Sequence, residues 1–118
     1  MLLKLLRTKI HRATITDANV DYVGSITIDE ALLEAIGLLV GEEVLVADLA
    51  NGVRFHTYVI PGRRGGGEMV INGAAAKLVS VGDRIIVMSF AYVTPEEARS
   101  LKPGVILVDE RNRVLQRL

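Results

Sequence analysis

The sequence predicts a single, mainly β domain, a small barrel of short strands with a few one- to two-turn helices, and three observations carry that prediction. Runs rich in Val and Ile, of strand length, recur along the chain and are separated by Gly, Asn and Asp. Between two of them lies Asn51-Gly52, the dipeptide that best tolerates the positive φ angles of a tight hairpin turn. Finally, Val40-Gly41-Glu42-Glu43-Val44-Leu45-Val46 parallels Val81-Gly82-Asp83-Arg84-Ile85-Ile86-Val87 at an offset of 41 residues. In each copy a helical stretch, Asp29 to Ile36 or Gly73 to Leu78, precedes a Gly-acid turn and an apolar strand. Two interlocked copies make a pseudo-symmetric barrel, which also removes exposed sheet edges; the alternative is a chance likeness of two turn-strand junctions.

The elements follow in order. Leu2 to Thr16 reads as a long strand with a basic face, and Tyr22 to Ile28 continues extended through Gly24. Asp29 caps a short helix with Leu32, Leu33 and Ile36 on one face, and Gly37 ends it. Glu43 to Ala50 and Val53 to Ile60 form the hairpin around Asn51-Gly52, with Arg54, His56 and Tyr58 on one face and Phe55, Thr57 and Val59 on the other. Pro61 to Gly67 is expected to be a mobile loop whose Arg63 and Arg64 either bind an anion or are simply solvated. Thr94-Pro95-Glu96-Glu97 has the cap, proline and acidic first turn of a helix start, and that helix ends before Pro103-Gly104. Val105 to Val108 is a last strand, and Arg111 to Leu118 reads as a lightly ordered tail.

Composition narrows the function. The chain has 118 residues, half of them hydrophobic, enough for one core and no second domain. Lys plus Arg and Asp plus Glu both number 14, so no net charge favours a nucleic acid partner. There is no Cys, and only His11 and His56 offer imidazoles, which disfavours disulfides and a metal site. The leucines of Met1 to Arg12 are broken by Lys4, Arg7 and Lys9, unlike a signal peptide. The longest uncharged stretch, Ile85 to Pro95, is far short of the roughly 20 residues of a membrane helix. A soluble cytoplasmic protein is the expectation.

Gly24-Ser25, taken alone, reads as a turn. Its flanks are strand-like, however, and a glycine in such a setting marks a bend or unusual backbone where a neighbour can approach. A hydroxyl directly after it can attack the preceding carbonyl carbon through a five-membered ring, and backbone strain would assist that attack.

Four segments give this pair its meaning. Lys9-Ile10-His11-Arg12-Ala13, Tyr22-Val23-Gly24-Ser25, Asn51-Gly52-Val53-Arg54-Phe55-His56-Thr57-Tyr58 and Asn72-Gly73-Ala74-Ala75-Ala76 occur in the order and spacing of bacterial aspartate 1-decarboxylases. The chain resembles that pyruvoyl-dependent family from about Leu3 to Val114. The resemblance implies a double-psi β-barrel, a homotetramer with sites between subunits, and a precursor that cleaves itself into residues 1–24 (the β chain) and 25–118 (the α chain). It implies decarboxylation of L-aspartate to β-alanine and carbon dioxide for pantothenate, and hence coenzyme A, biosynthesis.

The implied chemistry is coherent. Decarboxylation leaves electrons on the α-carbon, and side chains offer no good sink for them. A pyruvoyl group made from Ser25 supplies one: attack by the Ser25 hydroxyl gives an ester, β-elimination gives dehydroalanine, and hydrolysis gives the ketone that forms a Schiff base with substrate. Neither PLP nor a metal is required. Tyr58 matches the family's proton donor; a phenol has a reference pKa of about 10 but suits a developing carbanion. The alternative for it is a barrel tyrosine with its hydroxyl at the surface. Thr57 matches a substrate-contacting residue that assists cleavage. By alternation it faces away from Tyr58, so either the strand bulges or the pocket takes side chains from two subunits.

The second carboxylate of aspartate needs a cation, for which Arg54 is the candidate, with Lys9 and His11 adding positive potential. Without the resemblance these three read as a solvated basic strand face. Asn72 and the backbone of Gly73, Ala74 and Ala75 fit a tight turn opening a helix, whose N–H groups can hold a carboxylate or the pyruvoyl oxygen, although such a small-residue run also serves packing alone. The chain departs from the family pattern at Ala47 and Ala50, where some members carry an aromatic and a hydroxyl or amide side chain; this touches the pocket wall rather than the reaction.

Overall fold

A computed structural model describes all 118 residues. The elements are β1 (Leu3–Thr14), β2 (Asp17–Asn19), β3 (Ser25–Asp29), α1 (Glu30–Ile36), β4 (Glu43–Asp48), β5 (Arg54–Gly62), β6 (Met69–Asn72), a 3-10 helix (Gly73–Leu78), β7 (Arg84–Val93), α2 (Pro95–Ser100), β8 (Gly104–Val108) and β9 (Val114–Arg117). The fold is mainly β, one nine-stranded sheet in the order β2-β6-β3-β5-β4-β7-β1-β8-β9. β1 and β2 are successive parts of one segment, parted only at Ile15-Thr16. The pairings therefore run in a circuit from β1 through β7, β4, β5, β3 and β6 to β2. Alternate side chains, among them Ile10, Ile26, Ile28, Val46, Val59 and Val87, form the buried core.

The repeat in the sequence is a symmetry of the fold. Val46 pairs with its own equivalent, Val87, and Leu45 and Ala47 pair with Met88 and Ile86 on either side. The two Gly-acid turns bond alike. The Gly41 N–H donates to the Val59 carbonyl at 2.8 Å and the Val59 N–H to the Glu42 carbonyl at 3.0 Å; in the other copy the Gly82 N–H donates to Ile15 at 2.8 Å and the Ile15 N–H to Asp83 at 2.9 Å. Both glycines have positive φ, 89° and 95°, which a side chain would strain.

Two connections cross over strands. Asn72 of β6 pairs with Asn19 of β2 on one side and Ser25 of β3 on the other, so the link from β2 to β3 passes over the end of β6. Likewise β3 lies between β5 and β6, and the β5–β6 link passes over its end at Asp29.

Asp29 does more than cap. Its carboxylate accepts from the Ala31 N–H and from the Gly65 and Gly67 N–H groups, each at 2.9 Å. Burial alone would raise its pKa, but these three donors hold the carboxyl below its ordinary range. The stretch from Arg63 to Gly67 is accordingly tied down rather than a mobile loop: Arg64 pairs with Glu30 and Glu34 of α1, and the Arg113 guanidinium donates to the Gly65 carbonyl at 2.7 Å.

Other expectations are corrected. The extended run begins at Ser25, since Val20 to Gly24 form a turn and link. The β4–β5 connection spans Leu49 to Gly52, because the Asp48 N–H donates to the Val53 carbonyl at 2.9 Å and the Gly52 N–H to the Asp48 carbonyl at 2.8 Å. Of the two turn residues only Gly52 has positive φ, so the two-residue turn is absent. Asp48 and Asn51 accept from Ala50 and Val53 instead, stabilising the wider loop. The tail is also ordered: Val114–Arg117 pairs with β8, and buried Asn112 bridges the Thr14 backbone and the Gly67 carbonyl. Both α-helices form where expected, α1 between Asp29 and Gly37 and α2 behind a complete Thr94/Glu97 capping box.

Candidate active site

Ser25 opens β3 and is 1% exposed. Its hydroxyl donates to the Val23 carbonyl at 2.9 Å and accepts from the Asn72 side-chain amide at 3.1 Å. Gly73, next along β6, has φ 79°, and a Cβ there would lie 2.6 Å from Gly24 Cα and 2.9 Å from Gly24 N. Only glycine lets the crossing β2–β3 link lie so close to the end of β6. The unusual backbone expected at Gly24 is found across from it, at Gly73; Gly24 itself has no positive φ.

Tyr58 joins this group through the sheet. Ile26 of β3 pairs in parallel with Val59 of β5, and Ser25 and Tyr58 immediately precede that pair. Ile26 and Val59 are both fully buried, so Ser25 and Tyr58 share the opposite face. Tyr58, Ser25 and Asn72 thus follow one another across three neighbouring strands. Ala74 is exposed and Ala75 half-buried, which leaves the approach to the junction open. Thr57 faces the other way, opposite Val44, and the β4–β5 register is regular from Glu43–Tyr58 to Ala47–Arg54. No bulge turns it toward Tyr58.

The basic residues form a separate group. Arg54, Ala47, Ile86 and His11 succeed one another across β5, β4, β7 and β1, and Lys9 lies on the next outward row. Arg54 is four residues from Tyr58, about 13 Å along a strand, and β1 is three strands from β5, about 14 Å across. A molecule of amino-acid size cannot span that gap within one chain. Lys9 and Arg54 take part in none of the chain's ion pairs. His11 is different: burial first, then the charges of Lys9, Arg12 and Arg84, hold its pKa below the ordinary value, and its Nδ1 is buried without a partner. Its imidazole is pushed toward the neutral form, so the positive potential comes chiefly from Lys9 and Arg54. Ala47 is buried between Arg54 and Ile86, while Ala50 is exposed in the β4–β5 loop.

Thr27 was not visible as a site residue in sequence. It lies two residues beyond Ser25 on the same face, and its hydroxyl accepts from the Asn72 amide at 3.0 Å. Strand alternation was the signal that could have found it.

No helix of the chain is long and apolar enough to cross a membrane. The family model described as aspartate decarboxylase matches residues 1–115. Among curated relatives, aspartate 1-decarboxylase of Lactiplantibacillus plantarum is 54% identical over all of this chain and 91% of its own length. The enzyme of the same name from Wolinella succinogenes is 56% identical over 95% of this chain and 93% of its own, and that of Caldicellulosiruptor saccharolyticus 52% over 98% and 91%. With its family model matched almost end to end and relatives of this closeness, the chain belongs to the aspartate decarboxylase family.

Proposed function

We propose that this chain breaks its own backbone between Gly24 and Ser25, giving residues 1–24 and 25–118, and then converts L-aspartate to β-alanine and carbon dioxide. The reaction follows from the family and from the names its relatives carry. The single observation that carries the cleavage is the pressing of Gly73 backbone onto Gly24 while Asn72 holds the adjacent Ser25 hydroxyl.

In cleavage, Ser25 Oγ bonds to the Gly24 carbonyl carbon, the C–N bond breaks, and the hydroxyl proton ends on the freed amine. For this the hydroxyl turns from the Val23 carbonyl to the Gly24 carbon, and the Asn72 amide stays within reach. Elimination of the Gly24 carboxylate, then hydrolysis with loss of ammonia, leaves a pyruvoyl group at residue 25. The surroundings fit it: a bare backbone at Gly73, an amide donor at Asn72, and small Ala74 and Ala75 at the approach. In place, the pyruvoyl carbonyl supplies the electron sink that decarboxylation needs.

The remaining roles belong to side chains. Tyr58, one strand from residue 25 and on its face, returns a proton to the substrate α-carbon. Arg54 grips the carboxylate that is retained, and Lys9 and His11, three strands away on β1, lend positive potential and a hydrogen-bonding imidazole to a site shared with another copy. Asn72, with the backbone of Gly73, Ala74 and Ala75, holds the end that reacts. Thr57 faces away from Ser25 within its own chain, so its contact with substrate is made in a site shared with another copy. The separation between the basic group and Ser25 supports a site completed by another copy, as in a homotetramer. The cytoplasmic product would feed pantothenate synthesis.

Intact mass and a β-alanine assay on the same sample test this. Two fragments meeting at the 24/25 junction and β-alanine from aspartate are expected, with Ser25→Ala giving one inactive chain. An uncut, active wild type would overturn the mechanism; a cut protein inert toward aspartate would overturn the substrate.

A further inference from the structure

Asn72 uses its amide in an unusual way. Although it precedes the 3-10 helix, its side chain does not cap it; Nδ2 donates to both Ser25 Oγ at 3.1 Å and Thr27 Oγ1 at 3.0 Å. The Ser25 hydroxyl proton is already directed to the Val23 carbonyl, so Ser25 can only accept from Asn72. That fixes the nitrogen, not the oxygen, of the amide toward β3, and it needs both N–H bonds. Thr27 is in turn held in orientation. A Cβ on Gly62 of β5 would lie 3.1 Å from the Thr27 methyl, so the methyl packs against β5 and the hydroxyl faces β6. β-branching allows few other choices.

We infer that Thr27 is a positioning residue for self-cleavage: its hydroxyl anchors the Asn72 amide so that the second N–H of that amide is aimed at Ser25 Oγ. This rests on the proposed cleavage and extends it to a residue outside the reacting atoms. If residue 25 loses its hydroxyl in maturation, Thr27 remains the amide's anchor on β3. The neighbouring threonine methyl and hydroxyl thus have separate duties, one in packing and one in aim.

Self-cleavage of freshly purified precursor is followed by intact mass for wild type, Thr27→Val and Thr27→Ser, each also in an Asn72→Ala background, with melting temperatures measured alongside. Valine keeps the methyl and removes the hydroxyl; serine does the reverse. Thr27→Val is expected to cleave about five- to tenfold more slowly, the size of one net hydrogen bond, and Thr27→Ser close to the wild-type rate. In the Asn72→Ala background the valine variant should add no further slowing. If wild type does not cleave, the underlying proposal fails. If wild type cleaves and Thr27→Val matches it, or slows equally without Asn72, the positioning role is overturned. Should Thr27→Val not fold, Thr27→Ser against Thr27→Ala decides, and equal rates there also overturn it.

Discussion

The Gly24-Ser25 junction and the basic face lie on one surface of the sheet yet are held in opposite ways. Ser25 and Asn72 are almost fully buried, the Ser25 hydroxyl both donates and accepts a hydrogen bond, and Gly73 admits no side chain. Lys9 and Arg54 have no ionic partner within the chain, and Arg54 is exposed. On the proposed function, the difference separates two tasks. Breaking the backbone is an intramolecular reaction, so its parts must be fixed before any partner arrives. Binding an anion from solution requires charges kept free for it, and a strand face rich in unpaired cations does that.

Variants of each region should separate the tasks. Gly73→Ala should have the largest effect, because the methyl cannot fit against Gly24 and φ 79° is strained for alanine. Mass spectrometry should find cleavage reduced at least about 100-fold, given barrier changes of about 3 kcal/mol. Tyr58→Phe should cleave normally but lose about 100- to 10,000-fold in kcat, the range of general-acid catalysis. Retained full turnover would leave it a surface tyrosine. Arg54→Ala should cleave at the wild-type rate and raise KM about 10- to 100-fold, as expected for a lost charge-assisted contact of roughly 1.5–3 kcal/mol. Slowed cleavage in this variant would erase the division between regions.

A third location should leave both tasks unchanged and alter only stability. Asp48, buried at the end of β4, has its carboxyl pushed up to about 6 by burial and then by Asp83, whose own carboxyl is correspondingly lowered. Asp48 Oδ2 has no donor, so in its protonated form it can serve Asp83 as one. A folded pKa above the unfolded value of 3.8 gives stability that is complete below about pH 4 and is lost as pH rises through about 6. Asp83 shifts the other way and offsets part of this. Asp48→Asn, which keeps a donor at every pH, should melt higher than wild type at pH 8 by about 1–2 kcal/mol and lose that advantage near pH 4. Melting curves at the two pH values decide the sign.

What could be read from sequence was local or repeated. The caps at Asp29, Gly37 and Thr94 act within a few residues, and both helices form there. The 41-residue repeat was legible because its glycines need the same backbone twice. Contacts between distant residues were not legible. Asn112 reaches Thr14 and Gly67, and Asp29 reaches Gly65 and Gly67, so a supposed tail and a supposed loose loop are both fastened. The hairpin was misjudged because the Asp48 and Asn51 side chains supply turn bonds that a dipeptide pattern ignores. Motif resemblance named candidate site residues, but only strand register revealed that they divide into two groups.

The strand pairings also decide the fate of a nicked chain. Residues 1–24 contribute β1 and β2, and all their ladder partners, β6, β7 and β8, belong to 25–118. The short piece has no partner of its own and behaves as a guest strand stitched into its host along both margins. Severing one peptide bond at the start of β3 removes none of those stitches, so the two pieces should travel together through purification and part only when the whole fold melts. Residues 1–24 have no strand partner of their own, so a cut at the 24/25 junction would have to follow folding.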